Sequence, residues 1–239
     1  MERLKYLISE LKKTADDDWW LSEVSSIIEE DDDFFLDDLK VYGKALEVLD
    51  EGSWREFAKK AAGYIKHDSR RRGKQQFINI LNEVLAYEYL VSTGRSSVQF
   101  VPESAEGGSK NKPKSPDIQF LENGEKSFCE VKTIGVSEEE LDRVEADEIY
   151  SATVYYSLSD GFLNKLSSDI TYAASQIPTN SSNNLIYVIV NFDDFVGLYY
   201  KEYEKQIRHH LSQAHESVQV YLRIGLRGRF SIQHMPRNA

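Results

Sequence analysis

Two carboxylates and one lysine are placed by the sequence to share one face of a β-hairpin. Asp117 begins one β-like run, at 117–121, and Glu130 and Lys132 lie within a second, at 126–133. The intervening residues 122–125 read Glu-Asn-Gly-Glu, and Asn-Gly between two β-like runs is typical of a two-residue type I′ turn. That turn fixes a register in which Asp117 lies directly across from Glu130, and Lys132 shares the face of Glu130.

Opposed carboxylates of this kind repel each other unless a cation lies between them. Lys132 fits that role in a purely structural ion cluster. A divalent metal fits it equally, because Mg²⁺ takes oxygen ligands and commonly binds one or two carboxylates together with phosphate oxygens. In the second case Lys132 would stabilise charge on a phosphate or orient the attacking water. From the spacing alone, both interpretations stay open.

The same residues form a motif with a family resemblance. Pro-Asp at 116–117, twelve intervening residues and Glu-Val-Lys at 130–132 resemble the PD-(D/E)xK signature of the restriction-endonuclease-like nuclease superfamily. The predicted element order αβββαβ over about residues 75–192 matches the core of that superfamily. The resemblance implies an α/β fold with a mixed central sheet flanked by helices. It also implies a Mg²⁺-dependent nuclease, with Mn²⁺ as a substitute and DNA as the favoured substrate, in restriction, phage defence or DNA repair.

By resemblance, the conserved roles of that motif fall on four residues of this chain. Asp117 and Glu130 match the metal-binding acids, the backbone carbonyl of Val131 would be a further metal ligand, and Lys132 matches the catalytic lysine. Asp117, Glu130 and Lys132 together are therefore the expected catalytic set.

Further site residues are expected outside the hairpin. Many members of the superfamily add a metal-binding acid from the helix before the first strand, and Glu83 fits best here, with Glu88 as the alternative. Glu83 lies among apolar residues at helical spacing, and the competing interpretation is a carboxylate that snorkels or is paired to a helix neighbour.

On a later predicted helix, one stripe carries Lys165, Asp169, Tyr172 and Gln176. Several branches of the superfamily place a polar residue, often Gln, on this helix near the site, so Gln176 and Lys165 are candidate substrate contacts by resemblance; a solvated helix face is the open alternative. Lys114, in a lysine-rich loop, is the third candidate contact.

The composition limits the partners. The 239 residues carry 29 Lys and Arg against 40 Asp and Glu, a net charge of −11, which excludes binding of nucleic acid by bulk positive charge. Residues 1–60 hold 17 of the acids and 9 of the bases, so the acidity is mostly N-terminal. The single cysteine, Cys129, excludes an internal disulfide and a cysteine zinc cluster. No apolar run is long enough to span a bilayer, and a cytoplasmic protein without a membrane partner is expected.

The chain is predicted to divide into an acidic helical module at 1–70 and the nuclease-like domain at 71–239. Ser53 and Glu56 match a capping box that would open one of the N-terminal helices. A long helix over about 75–92 should end at Gly94. Beyond the hairpin, helices near 162–177 and 199–213 and strands at 185–192, 218–223 and 229–233 are expected, and 98–101 is an earlier strand candidate.

Two functions from different classes are compatible with these patterns. The first is the nuclease, which many superfamily members perform as homodimers. The second is a catalytically silent nuclease-fold module that binds nucleic acid or protein, with the acidic N-terminal helices as the surface for a protein partner. Only the first of the two requires a divalent metal.

Overall fold

The computed structural model describes residues 1–30, 33–69, 73–102, 115–135, 142, 157–178, 183–190, 196–212, 218–225 and 232–235, with the side chains of 33–35, 196–200 and 232–235 left aside. The described part mixes helices with a sheet of parallel and antiparallel strands, so the predicted α/β class is confirmed. It forms two compact units. The first comprises Met1–Asn111 and Asp117–Lys126, and the second comprises Lys112–Pro116 and Ser127–Ala239.

The first unit is mainly helical. Its helices α1 to α5 and strands β1 and β2 have the following bounds: Glu2–Lys12, Trp19–Glu30, Asp33–Glu47, Glu51–Tyr64 and Gln75–Ser92, then Ser96–Phe100 and Ile118–Glu122. The apolar residues of α1 recur at helical spacing and are buried, as the sequence predicts. Helix α5 packs against α3 and α4. Its contacts join it to the N-terminal helices, so the compact units do not divide after residue 70, and an independent module at 1–70 stays a prediction.

The start of α4 differs from the predicted capping box. The helix begins at Glu51, and its cap is Asp50, whose carboxylate accepts a hydrogen bond from the backbone N–H of Ser53 at 2.7 Å. Ser53 therefore lies inside the first turn, and the capping box with Glu56 is wrong. The physical reason is that Asp50 is itself a strong cap residue three positions before Ser53, and its charge favours the positive end of the helix dipole.

Helix α5 has the predicted bounds and ends at Gly94 as expected. Gly94 adopts φ +86°, and its N–H donates to the carbonyl of Val91 at 3.0 Å. The next N–H, from Arg95, donates to the carbonyl of Leu90 at 3.1 Å. These two bonds form a Schellman motif, which satisfies carbonyl groups that the helix leaves without partners at its end.

The turn after β2 has the predicted conformation. Asn123 and Gly124 adopt φ values of +54° and +82°, as a type I′ turn requires, and the next strand begins at Glu125. Arg95 supports the end of β2, because its guanidinium lies 3.2 Å from a carboxylate oxygen of Glu122 and over the ring of Phe120.

Two glycines of the first unit provide a matched test of this turn. Gly124→Ala is expected to destabilise the protein by about 1 kcal/mol, because a Cβ is strained at positive φ. Gly63→Ala, in α4 with no atom within 4 Å of the added Cβ, is expected to stabilise it by about 0.5 kcal/mol. Urea unfolding of both variants checks the two signs. A Gly124→Ala variant as stable as wild type would contradict the turn.

The described part of the second unit contains a mixed sheet and the two helices that follow. Strands β3 to β6 cover Glu125–Ile134, Leu185–Val190, Gln219–Ile224 and Ile232–Met235, and the helices α6 and α7 cover Asp160–Gln176 and Val196–Leu211. β3 begins in the first unit and belongs to the second from Ser127 on. β3, β4 and β5 are parallel neighbours in that order, and β6 is antiparallel to β5. Among the described helices and strands, the order from α5 to β4 is αβββαβ.

The core of the second unit fixes which residues of β3 face α6. Ile134 of β3 joins Ile186, Val188 and Val190 of β4 in one buried cluster with the α6 stripe of Leu166, Ile170 and Ala173. Every residue of β4 is buried, as its continuous apolar run predicts. Since side chains alternate along a strand, Glu130 and Lys132 point to the same face as Ile134. Cys129 lies on the opposite face and is fully buried.

In the part of the chain that the structure describes, no helix is long and apolar enough to cross a membrane.

Candidate functional site

Glu130 and Lys132 lie side by side on β3. The Nζ atom of Lys132 donates to Oε1 of Glu130 at 2.7 Å, which confirms that the two side chains share a face. Glu130 is only 2% exposed. A carboxylate buried to this extent is unfavourable unless a charge or hydrogen-bond donor compensates it. Lys132 supplies both.

A third side chain completes the arrangement from α6. The Nε2 atom of Gln176 donates to Oε1 of Glu130 at 2.8 Å, and its Oε1 accepts from Nζ of Lys132 at 3.3 Å. The structure therefore brings Gln176, which the sequence predicts as a substrate contact, together with the acid and the lysine. These three residues are called the Glu130–Lys132–Gln176 cluster below.

The crossover from β3 to β4 explains how Gln176 reaches the strand. Helix α6 lies between two parallel strands in the chain, so it runs back along them and its last residue arrives near the start of β4. There Ile186 of β4 is paired with Glu130 of β3. Gln176 follows Ala173 by three positions and continues the buried stripe of α6. The stripe therefore ends on a polar residue at the edge of the apolar core.

Asn184 connects β3 to the segment that follows α6, and the sequence did not predict this role. Its Oδ1 accepts from the backbone N–H of Phe128 at 2.9 Å, and its Nδ2 donates to the carbonyl of Pro178. One buried side chain thereby links the beginning of β3 to the segment that follows Gln176. The only sequence signal is an asparagine placed directly before the apolar run of β4.

Tyr172 belongs to the predicted stripe of Gln176, but the sequence assigned it no role in the site. Its ring centroid lies 5.4 Å from Nζ of Lys132, one helical turn before Gln176. This separation is within the range of a cation–π interaction. Its ring is 57% exposed.

The chemistry available in the cluster follows from its atoms. Glu130 offers a carboxylate, and the carbonyl of the adjacent Val131 adds a neutral oxygen; both are donors that Mg²⁺ accepts. Lys132 carries an ammonium with three donors, of which Glu130 and Gln176 accept two in this arrangement. The side-chain amide of Gln176 forms hydrogen bonds with both Glu130 and Lys132. A phosphate oxygen approaching Lys132 would meet a positive, positioned donor.

Glu83 is engaged elsewhere in the first unit. Both of its carboxylate oxygens lie 2.8 Å from Nζ of Lys60 on α4. The acid is therefore paired, but with a residue of another helix and not with the expected helix neighbour. Its role as a metal ligand stays a prediction. Within the described ranges, no three His, Cys, Asp or Glu side chains are grouped so as to hold a metal ion. Glu88, the alternative, is half-buried on the same helix.

The remaining predicted site residues are Asp117, Lys165 and Lys114. Asp117 is half-buried directly before β2, and its place opposite Glu130 stays a prediction. Lys165 is exposed and paired with Asp169 on α6. It precedes Gln176 by eleven residues, which is about 16 Å of helical rise, so the structure does not bring it to the cluster. Lys114 lies outside the described residues.

Comparison with protein-family models, with curated proteins and with solved structures finds no match to this chain.

Proposed function

We propose that the chain is a metal-dependent nuclease with a restriction-endonuclease-like core, which hydrolyses phosphodiester bonds, preferably in DNA. The observation that carries this proposal is the Glu130–Lys132–Gln176 cluster. The motif alone places an acid and a lysine two residues apart. The structure adds a buried glutamine from the helix after the third strand, bonded to both, in the element order that the superfamily resemblance implies.

The donor set fits the metal that this activity implies. Glu130 and Asp117 would hold Mg²⁺ through carboxylate oxygens, and Val131 would hold it through its carbonyl. All three are hard oxygen donors of the kind that Mg²⁺ or Mn²⁺ selects. When bound, the ion would neutralise charge on the phosphate and lower the pKa of water. Glu83 remains a proposed further ligand, and its use would require release from Lys60.

The residues of the cluster have distinct roles in the proposed reaction. Water oxygen forms a bond to phosphorus, the bond from phosphorus to the leaving sugar oxygen breaks, and a proton ends on that oxygen. Lys132 donates to a non-bridging phosphate oxygen or to the attacking water, where charge develops. Gln176 fixes the position of the Lys132 ammonium through its carbonyl oxygen and that of Glu130 through its amide. Positioning of this kind is effective because small displacements of reacting groups are costly.

The acidic composition is compatible with a nucleic-acid substrate. Of the net charge of −11, residues 1–60 account for −8, from 17 acids and 9 bases. This acidic segment lies wholly within the first unit, whereas the cluster belongs to the second. Three of the other acids are proposed metal ligands, and a bound divalent ion reverses the local charge that a phosphate would meet.

The alternative function is a silent module that keeps the fold for binding. One observation favours it: Lys132 neutralises Glu130 by direct contact, so the cluster is electrically balanced without a metal. In this case the cluster is structural, and the acidic helices of the first unit are the surface for a protein partner.

Titration of Mn²⁺ into the protein in a calorimeter separates the two functions. The nuclease proposal predicts binding by the wild type and at least about tenfold weaker binding by Asp117→Asn, since a carboxylate ligand is lost. Asp169→Asn is the control, because this half-buried acid of α6 is paired with Lys165, and it should bind as wild type. Absence of binding, or equal binding by both variants, contradicts the metal site.

A further inference from the structure

Tyr172 occupies an unusual place on α6. Residues of a helix that lack a partner in the core are commonly polar, yet this ring is 57% exposed. Among the described side chains of the second unit, it is the only large apolar one that is exposed. It lies one turn from Gln176 and 5.4 Å from the ammonium of Lys132. An exposed aromatic face therefore stands directly beside the group proposed to bind phosphate.

The rest of the exposed face of α6 has little positive charge. Its exposed residues are Asp160, Gly161, Asn164, Lys165, Ser168, Thr171, Tyr172 and Ser175. The one cation among them, Lys165, is already bonded to Asp169. Recognition of a duplex relies on a row of cations and donors along the phosphates. On α6 the aromatic ring of Tyr172 is exposed, and no such row of cations is present among the exposed residues of the helix.

We propose that Tyr172 stacks on an unpaired base next to the phosphate bound at Lys132, so that the substrate is a single strand or an unpaired end. This inference rests on the proposed nuclease function and names its substrate class. Bases stack on aromatic side chains without regard to sequence, because every base has a π-face. A ring this close to Nζ of Lys132 is within one nucleotide of the bound phosphate. Inside a duplex the base is paired and stacked, and it must be extruded before it can stack on the ring.

A different role for the ring would give different kinetics. If Tyr172 only orients the Lys132 ammonium by the cation–π contact, its removal changes kcat on every substrate equally. If it stacks on a base, its removal raises KM for single strands and leaves kcat nearly unchanged. An aromatic replacement rescues the stacking role, since it keeps the π-face.

The test compares Tyr172→Leu and Tyr172→Phe with Tyr6→Leu in Mg²⁺. Tyr6 is a matched control, because it is 58% exposed and lies in the first unit. Substrates are a single-stranded oligonucleotide, its blunt duplex, and an abasic strand of the same length. We expect Tyr172→Leu to raise KM for the single strand about tenfold, with Tyr172→Phe and Tyr6→Leu close to wild type. On the abasic strand, Tyr172→Leu and wild type should have equal KM.

The inference is overturned if the wild type cuts and Tyr172→Leu has an unchanged KM for the single strand. A loss in kcat of equal size on single strand and duplex overturns it as well, and assigns Tyr172 to positioning Lys132. In both cases the nuclease function stands. If the wild type cuts none of the substrates, the proposed function fails and the inference fails with it.

Discussion

Glu130→Gln is expected to lower the rate of phosphodiester cleavage by at least about 100-fold, the scale on which a single electrostatic contact acts in a reaction centre. The substitution preserves the size of a side chain that is buried in contact with Lys132 and Gln176. It removes the negative charge proposed to hold the metal. Cleavage rates at saturating Mg²⁺ measure the effect, and circular dichroism confirms the fold.

Glu202→Gln provides the matched control for this substitution. Glu202 is an exposed acid of α7 paired with Lys205, and exposed pairs of this kind contribute little. Its variant should cleave as wild type. A Glu130→Gln variant that keeps a rate within tenfold of wild type would show that Glu130 is outside the reaction centre.

Lys132→Met is expected to destabilise the protein as well as inactivate it. Removing one partner of a buried ion pair leaves the other charge uncompensated, at a cost of about 3 kcal/mol. In this variant Glu130 retains the amide of Gln176 among its described partners. The double variant Glu130→Gln/Lys132→Met removes both charges and should recover most of the lost stability, while it stays inactive.

Urea unfolding of the two single variants and the double variant forms a cycle that isolates the pair. Lys205→Met serves as control, because Lys205 is 70% exposed on α7 and its loss should change the free energy of unfolding by less than about 0.5 kcal/mol. If Lys132→Met is as stable as wild type, the pair contributes nothing to the folded state. If the double variant is less stable than Lys132→Met alone, the two charges do not compensate each other.

The local features of the fold follow from local signals in the sequence. The limits of α5, the Gly94 terminus and the Asn123–Gly124 turn each depend on a few adjacent residues whose conformational preferences are strong. The common face of Glu130 and Lys132 follows from the two-residue period of a strand. Helical periodicity likewise placed Gln176 on α6, and the family resemblance indicated that this helix approaches the site.

The features that the sequence did not predict depend on contacts between distant segments. Lys60 and Glu83 belong to different helices, and no spacing rule pairs them. Asn184 joins β3 to the segment after α6 through two backbone groups, and only the folded arrangement brings these groups within reach. The Asp50 cap of α4 was missed for a different reason. Two overlapping cap signals compete at 50–56, and the acid at the earlier position forms the bond.

The arrangement of the charges on β3 is compatible both with a stable fold and with the proposed chemistry. The one buried acid of β3 is balanced by its neighbour two residues on and by a glutamine. The lysine balances the charge, and the glutamine adds a hydrogen bond of the kind that a buried carboxylate requires. The glutamine also holds both groups in place, and the proposed reaction centre would use this geometric control.

Cleavage of DNA by the wild-type protein, in Mg²⁺ and after chelation by EDTA, tests the central claim most directly. Supercoiled plasmid and a single-stranded oligonucleotide are the substrates, and the product ends are analysed on gels. The account predicts cleavage of at least one substrate in Mg²⁺ or Mn²⁺, and its loss in EDTA. Cleavage that persists in EDTA, or no cleavage of either substrate with either metal, would contradict it.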